Sequence, residues 1–73
     1  MKKYAKNALT RLAHNCDALD ITDESPMRFR NERYECVGFS TGVYGISAAL
    51  FMSRKTGQYF YVSKRNTLLL SII

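Results

Sequence analysis

The chain has 73 residues, two cysteines and a formal net charge of +5. That length is expected to hold one domain built on one small core, and two cysteines are too few for a disulfide framework, so buried thiols are the expectation for Cys16 and Cys36, with a single bridge left open. The N-terminal segment lacks the continuous apolar run of a secretory signal and no stretch approaches the ~20 apolar residues of a membrane span, so a cytoplasmic protein is expected.

The charge is unevenly placed. Up to residue 26, Lys2, Lys3, Lys6 and Arg11 balance Asp17, Asp20, Asp23 and Glu24. The remainder sets Arg28, Arg30, Arg33, Arg54, Lys55, Lys64 and Arg65 against Glu32 and Glu35, and no acid follows Glu35. Such asymmetry suits an acidic partner, either nucleic acid or an acidic protein surface.

Between residues 2 and 19 the apolar side chains fall at Ala5, Ala8, Leu9, Leu12, Ala13, Cys16 and Leu19, the three-four spacing of an amphipathic helix. Its charges oppose the helix dipole, lysines at the start and Asp17 and Asp20 at the end, so packing must hold it. Residues 20–32 read as a loop, because Ser25-Pro26 disfavours continuing helix. Beyond it, residues 34–41, 46–54, 58–63 and 67–73 are rich in aromatic, β-branched and other apolar residues, separated by short segments bearing Gly or Asn. The expected architecture is therefore an α+β fold over residues 1–73, with one N-terminal helix packed on a four-stranded antiparallel β-meander spanning 33–73.

Two turns set the expected registers. A three-residue loop of Lys55, Thr56 and Gly57, with Gly57 left-handed, pairs Arg54 with Gln58 and places Met52 opposite Phe60 and Leu50 opposite Val62. A second loop of Lys64, Arg65 and Asn66, with Asn66 left-handed, pairs Ser63 with Thr67. Both assignments gather Leu50, Met52, Phe60, Val62, Leu68, Leu70 and Ile72 on the face under the helix. The opposite face then holds Phe51, Tyr59, Tyr61, Leu69 and Ile73. One helix cannot cover both sides of a sheet.

Catalytic chemistry is poorly provided for, and neither an enzyme, a cofactor nor a metal site is expected. The lone histidine, His14, falls on the polar arc of the helix with no acid spaced to orient it, and a solvated side chain is its expected state. No Ser-His-Asp or Cys-His arrangement and no metal-ligand spacing can be assembled. Asp17, Asp20, Asp23 and Glu24 lack the glycine and terminal glutamate of a calcium loop. Gly42 and Gly45 lack the Lys-Ser/Thr of a phosphate loop and read as a wide turn or bulge, with Gly38 marking another bulge.

The expected contact surface is the second sheet face. Phe51, Tyr59, Tyr61, Leu69 and Ile73 form an aromatic strip of about 20 Å, bracketed by the basic turns Arg54-Lys55 and Lys64-Arg65, with Arg28, Arg30 and Arg33 as further contributors. The competing expectation is that the middle loop, carrying Met27 and Phe29, folds back over this face. A protein partner suits the mixture of tyrosines and aliphatics, whether an acidic or amphipathic segment or another copy pairing along an edge strand as a weak homodimer. Single-stranded or non-specific nucleic-acid binding is the runner-up.

Over about the last thirty residues, YGISAALF, TGQYFYV and RNTLLL resemble the core of small bacteriophage proteins in which a YG-x-x-x-ALF strand, a TG hairpin, a Y-x-V strand and an R-x-x-x-L ending recur. The similar positions are Tyr44, Gly45, Ala49, Leu50, Phe51, Thr56, Gly57, Tyr61, Val62, Arg65 and Leu69. The resemblance implies a small phage transcription regulator that binds host RNA polymerase in the host cytoplasm, inhibits initiation by weakening the enzyme's hold on its sigma factor, and in some cases promotes antitermination. It transfers no binding residue to this chain.

Overall fold

A computed structural model describes residues 2–29 and 33–71. In chain order it contains β1 (Lys2–Lys3), α1 (Lys6–Asn15), β2 (Leu19–Asp20), a 3-10 turn (Pro26–Phe29), β3 (Tyr34–Gly42), β4 (Gly45–Ser53), β5 (Tyr59–Ser63) and a single helical turn, α2 (Thr67–Leu70). The fold is α+β with one main N-terminal helix. The sheet, however, has five strands in the order β1-β3-β4-β5-β2, and it is mixed: β1 runs parallel to β3 and β2 parallel to β5, while the central β3-β4-β5 meander is antiparallel.

The expected helix over 2–19 is thus shorter, with a strand at each end. Its N-terminus has no side-chain cap and no acid in the first turn, so nothing local favours starting at Lys2. Instead the Tyr4 N–H donates to the Phe39 carbonyl at 2.8 Å, and Lys2 pairs with Gly38. Gly38 makes room for this: a Cβ there would lie 2.6 Å from Tyr4 Cε2. At the other end Asp17 takes φ +53°, the Ala18 N–H donates to the Ala13 carbonyl and the Asp17 N–H to the His14 carbonyl, which is the Schellman closure. The chain then enters β2 beside β5. Helix α1 therefore spans the sheet from one edge to the other and is held by Leu9 and Ala13, both buried.

The β4–β5 register differs from expectation by one residue. Gly57 is left-handed, φ +78°, as expected. The loop closes one position earlier, though, because the Ser53 N–H donates to the Gln58 carbonyl at 2.9 Å, while the buried Ser53 Oγ accepts the Lys55 and Thr56 N–H groups at 3.3 and 3.4 Å. Met52 consequently pairs with Tyr59, Phe51 with Phe60, Leu50 with Tyr61 and Ala49 with Val62. A slip of one residue sends every β5 side chain to the opposite face.

Two cores result. Against α1, Leu9, Ala13, Ala48 and Leu50 form one cluster, with Tyr4, Leu12, Ala18, Tyr59 and Tyr61 packed around it. On the other face Ala49, Phe51 and Val62 join Ile21, Phe29, Leu69 and Leu70, with Tyr34, Cys36, Phe39 and Phe60 alongside. Residues 67–70, expected as a fourth meander strand, instead form α2: Asn66 has φ −119° rather than a left-handed value, and its side chain caps the turn by accepting the Leu69 N–H at 3.0 Å. A cap that draws the backbone into a helical turn removes it from the sheet.

Candidate functional site

The expected aromatic strip is not one surface. Phe51 and Leu69 are 7% and 3% exposed inside the cluster beneath Ile21 and Phe29, whereas Tyr59 and Tyr61 pack on the opposite face against α1. The middle loop does fold back, through Phe29, whose ring centroid lies 5.9 Å from those of both Tyr34 and Phe60. Both sheet faces are covered by the protein's own chain. Leu68, expected in the core, is 70% exposed instead, and Ile72 and Ile73, expected on the two faces, lie outside the described residues.

The two basic turns flank β5, Arg54-Lys55 before it and Lys64-Arg65 after it. Arg54 reaches Glu35 at 3.9 Å, Arg65 reaches Asp23 at 3.6 Å and Arg28 reaches Glu24 at 3.3 Å, all exposed pairs that add little to stability. Lys55, Lys64 and Arg33 are exposed, and Arg30 lies outside the described residues. Arg28 also leans over the Phe29 ring, beside a cavity of about 410 Å³ that Asp20 and Glu24 help to line above Phe60.

The chemical groups do not converge. His14 sits exposed on α1, and Cys16 and Cys36 are unbridged. Burial pushes the Cys36 thiol above its ordinary pKa, as befits an unreactive side chain. Among the described residues no group of three His, Cys, Asp or Glu side chains stands together to hold a metal, and no helix is long and apolar enough to cross a membrane.

The feature that sequence reasoning missed is the tip of the β3–β4 hairpin. Strand β5 ends at Ser63, opposite Ala48, yet β3 and β4 continue to the pairs Thr41–Ile46 and Gly42–Gly45. This overhang forms an arm, with a register shift between Ser40 and Thr41 at its root. Val43 and Tyr44 at its tip are 93% and 102% exposed, and Ile46 is 44% exposed. The signal was present in the sequence: G-V-Y-G puts two apolar residues where turns usually carry polar ones, within a stretch from Cys36 to Ser53 that has no charged residue.

No family model, curated protein or solved structure matches the chain. The described surface offers for a functional reading the arm, the exposed cations near its root, and the separately exposed Leu19, Met27 and Leu68.

Proposed function

We propose that the protein is a non-enzymatic, phage-type regulator that binds host RNA polymerase in the host cytoplasm and inhibits transcription through protein–protein contacts. The observation that carries this reading is the exposure of Val43 and Tyr44 on an overhanging arm, in a chain small enough to need its large apolar side chains inside. Aromatic side chains of this kind are the anchors of protein interfaces. The resemblance of YGISAALF and its downstream motifs to small phage regulators supplies the partner, and Tyr44 and Gly45 fall within it.

Nucleic-acid binding is the second reading, favoured by Lys64 and Arg65 after β5 and by Lys2, Lys3 and Lys6 at the β1 edge. Titration of purified protein with bacterial RNA polymerase, alone and with competing DNA or RNA, separates the two. Polymerase binding that survives competitor, with inhibition of promoter-dependent transcription, supports the first. Binding to nucleic acid alone, with a log-log salt slope of roughly −0.7 to −0.9 per phosphate neutralised, replaces it with the second.

A further inference from the structure

Resting on the reading of a protein partner, we propose that the β3–β4 arm inserts into an apolar recess of that partner whose rim carries carboxylates. The arm itself supplies apolar contact: Val43, Tyr44 and Ile46 are exposed, and no charged residue lies between Glu35 and Arg54. Ser40 is the last buried residue of β3, so an occupant can surround the hairpin beyond it from both sides.

The cations stand around the root of the arm. Lys64 leaves β5 just after Ser63, which pairs with Ala48 at the level where the overhang starts, and Arg65 follows it, already paired with Asp23 at 3.6 Å. Across the sheet Lys3 pairs with Phe39, and Lys6 opens α1 two residues after Tyr4, whose N–H is bonded to the Phe39 carbonyl. An uncharged apolar projection with a basic collar is complementary to an apolar recess with an acidic rim. A second copy of the chain is disfavoured, because each carries +5 and would present its own collar. Nucleic acid is disfavoured as the arm's occupant, because the element that would enter a groove or stack of bases bears no cation and two of its three exposed apolar residues are aliphatic.

The test places the photo-reactive residue p-benzoylphenylalanine at Tyr44, or at the exposed His14 as control, in the full chain expressed in bacterial cells. The expected result is an adduct from position 44 and not from position 14, mapping to apolar residues of one protein with Asp or Glu beside them. The V43S/Y44S double variant should bind that purified protein at least tenfold more weakly while melting at the same temperature, since both side chains are fully exposed. If that protein is an RNA polymerase subunit, the functional reading stands too; if it is another acid-rimmed protein, the arm assignment stands and the polymerase reading falls. Adducts to nucleic acid, to a second copy or to a recess without carboxylates overturn the arm assignment. So do the absence of any adduct at position 44, and full-strength binding of the double variant to polymerase.

Discussion

The side-chain amide nitrogen of Asn66 lies 2.8 Å from the carbonyl oxygen of Thr22, and it also donates to the Glu24 carbonyl at 2.9 Å while Asn66 Oδ1 caps α2. Thr22 answers from the other side, its Oγ1 accepting the Ser63 N–H at 3.0 Å and donating to Asp20. One asparagine thus ties the middle loop and the C-terminal turn together over the second sheet face.

Removing it tests that latch. Asn66→Ala loses a helix cap, worth about 1 kcal/mol, and two further part-buried hydrogen bonds, each worth about 1 kcal/mol, so urea unfolding should show a loss of about 2–3 kcal/mol. Asn66→Asp keeps the cap acceptor but turns a carboxylate toward two carbonyls. It should be at least as destabilised; a near-native Asn66→Asp protein would mean that the cap alone matters.

Two consecutive residues of β4 test the covering of both faces. Leu50 is 0% exposed beneath α1, and its neighbour Phe51 is 7% exposed on the other side. Leu50→Ala and Phe51→Ala should each cost about 3–5 kcal/mol in equilibrium unfolding. A sheet with one open face would tolerate Phe51→Ala, with a loss below about 1 kcal/mol.

The sequence made the helix, the loop after it and the three central strands legible, because periodicity, Pro26 and the glycine turns are local signals. It did not show which face each β5 residue takes. That depended on Ser53, whose buried hydroxyl binds two turn amides and lengthens the loop by one residue, an interaction that no pattern of apolar residues announces. That slip divides the expected aromatic strip, placing Tyr59 and Tyr61 on the face opposite Phe51 and Leu69. The edge strands were hidden for a similar reason: Lys2–Lys3 and Leu19–Asp20 acquire their conformation only by pairing with distant residues. Local pattern makes Asn66 a turn residue, whereas its long-range bonds to Thr22 and Glu24 hold it as a cap. The arm was legible in composition, as G-V-Y-G in a charge-free stretch, but only the overhang past Ser63 gives that composition a meaning.

Asp17 closes α1 in the left-handed region, where a side chain carries a steric cost and a carboxylate faces the negative end of the helix dipole. Asp17→Gly should raise stability by about 1 kcal/mol, read as an increase of roughly 4–8 °C in Tm. The Asp17 carbonyl keeps its bond from Gln58 Nε2 in that variant. Asp17→Ala removes the charge but keeps a Cβ in the left-handed region, so it should gain less; equal gains would assign the effect to charge alone.

Burial raises the Cys36 pKa, so the folded chain holds the thiol proton more tightly than the unfolded chain does. The stability this contributes is fully present below the unfolded thiol pKa and is lost as pH rises through the higher folded value. In a Cys16→Ser background, the stability advantage of Cys36 over Cys36→Ser should therefore shrink in the alkaline range above the ordinary thiol pKa. Alkylation of Cys36 at neutral pH should be slower in the folded protein than in urea. An advantage that grows with rising pH would reverse the assigned direction.

Both sheet faces are occupied by the protein's own chain, and the hairpin arm is the surface proposed to meet a partner. Amide hydrogen exchange of the protein, free and bound to purified bacterial RNA polymerase, tests this most directly. New protection is expected at residues 41–47, with exchange across residues 59–62 already slow in the free protein and unchanged on binding. Fast exchange across 59–62 in the free protein that becomes protected in the complex, with 41–47 unaffected, would contradict it.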